Sequence, residues 1–126
     1  MGRWQDGRAT LRITESADAT AERPAAAPIP LEIAASYRAR TRGLLGRDGI
    51  DGAVLLTPAG SVHTFRMRFT IDVAYLDRHF RVLAVRTMKP GRLGAPRLRS
   101  RHVLEAEAGA MERWGLRPGV RVTVEN

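Results

Sequence analysis

Among the residues of the types that move protons, two stand on what read as adjoining strands: His63 in Ser61-Val62-His63-Thr64 and Asp72 in Ile71-Asp72-Val73. An imidazole within hydrogen-bonding reach of a carboxylate is held in one tautomer and can act as a general base. The segment between them reads as a hairpin turning near Met67 to Thr70, with His63, Phe65 and Met67 on one face of its first strand. Asp72, Ala74 and Leu76 then share one face of the second strand. If those faces coincide, His63 and Asp72 form a candidate catalytic pair for a small hydrolase or isomerase. If they do not, Asp72 caps a turn and His63 is a half-buried strand residue. No nucleophile motif accompanies the pair, and Ser61 and Thr64 are only neighbours.

A second candidate is the run Phe65-Arg66-Met67-Arg68-Phe69, which interleaves rings with guanidinium groups. Single-stranded nucleic acid is held this way, with bases on rings and phosphates on Arg. Phe65, Arg66, Arg68 and Phe69 are therefore candidate stacking residues. The competing reading puts Phe65 and Met67 in the core and leaves the arginines solvated.

Charge supplies the third. Lys and Arg number 21 against 13 Asp and Glu, a net charge of +8. Within residues 1–30 the charges cancel, since Arg3, Arg8, Arg12 and Arg23 face Asp6, Glu15, Asp18 and Glu22. From Arg78 to Leu104 there are basic residues and no acid, a block that raises the local concentration of polyanions. Arg86, Lys89, Arg92, Arg97, Arg99 and Arg101 are the candidate anion-binding set. Lys89 is the only lysine, a bias that coding composition explains; the missing acids it does not explain. Metal ligation has no support: His63, His79 and His102 are scattered, cysteine is absent, and no His-x-His or Glu-x-x-His spacing occurs. No phosphate-loop or cofactor motif is present either, so no cofactor is expected.

These residues need a scaffold. A chain of 126 residues with 44% hydrophobic and 27% charged residues has the makings of one globular domain. No apolar run reaches the roughly 20 residues of a membrane-crossing helix, the N-terminus carries no secretory pattern, and zero cysteines fit a reducing, cytoplasmic setting. Thr10 to Thr14 alternates like an edge strand, and Ala19 to Pro30 reads as a flexible Ala/Pro-rich connector. Residues 1–30 are accordingly separated from a domain over 31–126. Leu31 to Ala34 predicts a strand. Ser36 is placed to cap a helix over Tyr37 to Leu45, with Tyr37, Thr41, Leu44 and Leu45 on one face.

Beyond Ala53 the sequence turns to short β-branched runs. Strands are expected at Ala53–Thr57, Val62–Met67, Ile71–Leu76, Phe80–Thr87, His102–Glu107 and Val120–Val124, with a short helix over Gly109–Trp114. Short connections imply antiparallel pairing. The expected class is α+β, predominantly β: a small curled antiparallel sheet or partly closed barrel of six or seven strands with two short helices.

Three stretches carry a resemblance. Arg42-Gly43-Leu44-Leu45-Gly46-Arg47 resembles the Arg-Gly-Leu-Met-Gly-Arg signature of the bacterial and archaeal domain of unknown function 192, DUF192. Thr64 to Val73 resembles that family's Phe-Trp-Met-Lys…Leu-Asp block, and Val103-Leu104-Glu105 through Gly109, Gly115-Leu116 and Gly119 its last block. Arg66, Thr70 and Val120 depart from the usual Trp or Gly, Pro and Asp. The resemblance spans roughly Leu31 to Val124 and implies a compact β-rich domain with no established activity. The residues themselves favour a binding or accessory module whose basic loop meets an anionic partner: nucleic acid first, then an acidic protein or an anionic surface. An enzyme using His63 and Asp72 is the alternative.

Overall fold

Apolar residues recur at successive positions rather than alternate ones in most of the strands, so both faces of the sheet must be covered. The computed structural model of the chain describes residues 4–15 and 28–126. Its strands are β1 (Gly7–Glu15), β2 (Ile29–Ala34), β3 (Ala53–Leu56), β4 (Ile71–Leu76), β5 (Val82–Met88), β6 (His102–Glu107) and β7 (Arg121–Glu125). Helix α1 (Tyr37–Arg42) follows β2, and α2 (Ala110–Trp114) follows β6. All seven strands form one sheet in the order β5-β4-β6-β3-β2-β1-β7.

The sheet curls until its outer strands touch. Val82 N–H donates to Val120 O at 2.7 Å, Gly119 N–H to Val82 O at 2.9 Å and Val122 N–H to Phe80 O at 3.0 Å. The result is a half-barrel, as the α+β reading expects, with the start of β5 and the residues before it bonded to the start of β7. Two cores result. Leu11, Leu31, Leu55, Leu76, Leu104 and Val122 fill the inside of the curl, with Met111 of α2 among them. On the other face, Ile71, Val73, Tyr75, Val54, Val103 and Met88 lie beneath Leu44, Val62 and Met67.

Several expectations change. β2 and β3 pair in parallel, Leu31 opposite Ala53 and Ala34 opposite Leu56, because α1 and its loops carry the chain back across the sheet. Helix α1 ends at Arg42; Leu44 is buried beyond it, while Tyr37 and Thr41 are exposed, so the predicted four-residue face does not form. Its start is as expected: Ser36 Oγ accepts from Ala39 N–H at 3.1 Å. Asp6 anchors that cap, accepting from the N–H groups of Ala35 and Ser36 at 2.7 and 2.8 Å, bonds that hold its carboxyl below the usual range. β1 extends beyond Thr10–Thr14 and lies between β2 and β7. Ile29 and Pro30 already belong to β2; residues 16–27 of the expected connector lie outside the described residues.

The expected strand Val62–Met67 is a correction. This segment is an ordered loop with one isolated bridge, His63 opposite Leu93, and Arg66 adopts φ 63°. A positive φ at a non-glycine residue interrupts alternation. Val62, Thr64 and Met67 turn inward and His63, Phe65, Arg66 and Arg68 outward, so Phe65 is not a core residue.

One glycine is sterically required at the parallel crossover. At Gly52, φ is +86°, and a Cβ would stand 2.1 Å from Pro30 O. Gly52→Ala is expected to lower the unfolding free energy by about 2 kcal/mol or more. Gly49→Ala, which meets nothing within 4 Å, should change it by less than about 0.5 kcal/mol in the same urea titration.

Candidate functional site

Strand β6 is central, paired antiparallel to β3 on one side and β4 on the other, so its residues alternate between the two cores. Leu104 and Ala106 point into the curl, Val103 and Glu105 to the other face. Glu105 lies opposite Val54 on β3 and Val73 on β4, two fully apolar flanks. Its exposure is 4%. Among the described residues no hydrogen bond or ion pair reaches its carboxyl group. Burial alone pushes its pKa up to about 7.

The carboxyl group forms the floor of a cavity of about 70 Å³. Leu44, Leu45, Leu56, Val62 and Met67 supply apolar wall; Thr41, Arg42, Ser61 and His63 bring polar groups. Gly43 keeps the space open: its φ is +47°, and a Cβ there would lie 3.2 Å from Glu105 Oε1. The cavity thus joins all three sequence blocks, Arg42 to Leu45 of the first, Met67 of the second and Glu105 of the third. Arg47 of the first block fixes its loop, its guanidinium forked onto Glu32 at 2.6 and 2.9 Å and holding that carboxyl below its ordinary range. Nothing in local pattern marked Glu105, because Glu105 and Glu107 alternate in Val-Leu-Glu-Ala-Glu as the solvent face of an ordinary strand would.

The pair proposed from sequence is not assembled. His63 is at the cavity on the Glu105 face, whereas Asp72, with Ala74 and Leu76, belongs to the opposite face. Asp72 is buried and fully engaged: Oδ1 accepts from Thr87 Oγ1 at 2.8 Å, and Oδ2 from Gly109 N–H at 2.9 Å and Met111 N–H at 3.2 Å. It fastens the start of α2 to β4 and β5. His63 instead stacks on Phe65, centroids 5.2 Å apart, both exposed. Arg66 is exposed, Arg68 reaches Asp48 at 3.3 Å, and Phe69 is half-buried against the outer core, so of the proposed rings only Phe65 offers an open face.

The basic segment lies against this loop. Thr64, completely buried, is its clamp: Oγ1 donates to Lys89 O at 2.6 Å and accepts from Arg92 N–H at 2.8 Å, while Thr64 N–H donates to Arg92 O and Gly91 N–H to Thr64 O, both at 2.8 Å. Gly94 N–H donates to Val62 O, Arg97 N–H to Gly60 O and Arg101 N–H to Leu76 O. Lys89, Arg92, Arg99 and Arg101 are exposed and make no ion pair among the described residues. Arg97 differs, its guanidinium standing 4.6 Å over the Tyr75 ring. Arg86 is exposed and bonds its neighbouring carbonyl, Val85 O.

A larger groove lies elsewhere. A groove of about 510 Å³ runs along Trp4, Phe80 and β7, but its polar groups bond one another, Thr14 to Arg121 O and Arg121 Nε to His79 O. The chemistry, rather than the volume, directs attention to Glu105. Nearby His102 is structural: it stacks on Phe80 at 4.2 Å and bonds Thr57 Oγ1 at 2.7 Å, and burial lowers its pKa to about 4.

Comparisons with known proteins bear on the family and the fold. The family model DUF192, described as an uncharacterized ACR, matches residues 19–124. The chain belongs to the DUF192 family. It is 36% identical over 87 residues to the UPF0127 protein PH1112 of Pyrococcus horikoshii, spanning 65% of this chain and 76% of that one. The fold resembles that of a Sinorhizobium meliloti protein described as "a putative transcription regulator", with TM-score 0.77, 17% identity and 98% of both chains covered. A Novosphingobium aromaticivorans protein of unknown function matches with TM-score 0.72 and 16% identity, over 90% of this chain and 83% of that one. At these identities the two structures speak for the DUF192 fold alone.

Glu105 and His102 make opposite demands on pH. A raised folded-state pKa means that Glu105 costs nothing below its unfolded value of 4.5 and costs most once pH passes about 7. The depressed pKa of His102 takes stability away as pH falls from 6.5 through about 4. Urea titrations of Glu105→Leu and the native chain should diverge between pH 4.5 and 8 by about 3 kcal/mol in favour of the variant. The variant alone should gain stability steadily from pH 4 to 6.5; a pH-independent difference would contradict the burial of an unpaired acid.

Proposed function

We propose that this DUF192 domain is a non-enzymatic binding module that presents residues 86–101 to an anionic partner. The observation that carries this reading is a cationic loop ordered in advance: Lys89, Arg92, Arg99 and Arg101 stand exposed and unpaired on a backbone that Thr64, Val62 and Gly60 hold in place. A backbone already held in place loses little further conformational freedom on binding. The exposed His63–Phe65 stack adjoins the loop through the His63–Leu93 bridge, so a ring platform lies beside the cations. Single-stranded nucleic acid suits that combination better than an acidic protein or a lipid surface, because bases stack where phosphates pair. A cysteine-free chain suits a reducing cytoplasm, where such a partner is abundant. The hydrolase or isomerase reading has lost its catalytic pair to the two-sided sheet.

Binding to a fluorescent single-stranded oligonucleotide should weaken linearly on a log–log plot against salt, with a slope equivalent to about three or more released counterions. Replacing Lys89, Arg92, Arg99 and Arg101 by Gln should remove most of that slope and leave the melting temperature nearly unchanged, with Arg97 kept because it packs on Tyr75. Phe65→Ala should weaken binding by about fivefold or more without altering the slope. Affinity untouched by the quadruple change would reduce the loop to a solvated surface.

A further inference from the structure

A carboxyl group buried between Val54 and Val73, with no protein donor to satisfy it, is costly to keep. Asp72 shows that this fold can satisfy a buried acid when it serves structure, since three donors converge on its two oxygens. Glu105 has none; what it has is a cavity in front of it, kept clear by Gly43. The unmet bonding capacity is therefore directed at space that something can enter.

The lining narrows what that is. At the floor a carboxylate, once ionised, calls for a cationic donor, and an ammonium group with one or two methylenes suits about 70 Å³ flanked by Leu44, Leu56 and Met67. Around the rest of the lining the sign reverses. Arg40, Arg42 and His63 are its other charged or titratable groups. Arg40 is tied to the carbonyls of Ala35 and Pro58 at 3.2 and 3.1 Å, whereas no hydrogen bond of the Arg42 side chain occurs among the described residues. Arg42 also borders a neighbouring groove of about 310 Å³, so a ligand too long for the cavity has room beyond it. A plain cation would leave the Arg42 guanidinium of the lining without a partner, and a plain anion would leave Glu105 unsatisfied.

We propose that the Glu105 cavity binds a small zwitterion of the free amino acid class, its primary ammonium on Glu105 and its carboxylate on Arg42. Glu105 and Arg42 act here as binding residues, and no chemical step is implied. The site shares His63 with the surface beside the basic loop, but none of residues 86–101 lines it, so its ligand is distinct from the polyanion proposed above.

Isothermal titration of the full chain with glycine, β-alanine and γ-aminobutyrate tests this, with ethylammonium lacking the carboxylate and glycolate lacking the amine. At least one of the three amino acids should bind with a dissociation constant below about 10 mM. Ethylammonium and glycolate should each bind about tenfold or more weakly. Ammonium binding draws a proton off Glu105, so the heats should differ between buffers of different ionisation enthalpy. Glu105→Gln should weaken the amino acid by about tenfold or more and abolish the buffer dependence, while retaining a cooperative melt. Arg42→Gln should weaken the amino acid and spare ethylammonium. No heat from any amino acid, equal binding of glycolate, or binding unchanged in Glu105→Gln would each overturn the proposal.

Discussion

Everything in this fold answers to a sheet covered on both faces. Its central strands β3, β4 and β6 have almost no solvent side, and each polar side chain there must find partners or go without. Strands β4 and β6, side by side at its middle, solve the problem in opposite ways. Asp72 on β4 collects donors from Thr87, Gly109 and Met111 and by doing so docks α2. Glu105 on β6, on the other face, collects none and looks into a cavity. One acid is architecture. The other has no partner among the described residues and faces open space.

The covering of that second face is also what shapes the surface. No strand crosses there; loops do, and loops need their backbone groups bonded. Thr64 supplies much of this, satisfying both a carbonyl and an N–H of the basic segment from a fully buried position. The same clamp that completes the core thereby holds the backbone from which the cations of the basic loop project. Val62 and Met67 face inward to wall the Glu105 cavity, and His63 and Phe65 face outward beside the cations. A single irregular segment, 57–70, thus serves both candidate sites.

The fold class, the strands β3, β4, β6 and β7, the capping serine of α1 and the short α2 were legible because hydrophobic runs and turn residues are local signals. So was the family, carried by Arg42 to Arg47 and by the blocks after it. What was not legible was parity. Val62-His63-Thr64-Phe65 alternates as a strand would, yet with Arg66 at positive φ it becomes a loop clamped to Lys89–Arg92. Whether Asp72 and His63 share a face depends on that loop and on β4 lying between β5 and β6, neither of which has a local signature. Glu105 was missed for the same reason: alternation says which residues share a face, and only the tertiary fold says that both faces are buried.

The account rests most heavily on Glu105 being an unpaired acid in an apolar setting. Carbon-detected NMR titration of its side-chain carboxyl resonance in the intact chain measures this directly. An apparent pKa close to 7 is expected. A value near the ordinary 4.5 would mean that water or a donor already serves the carboxylate, and would contradict the account.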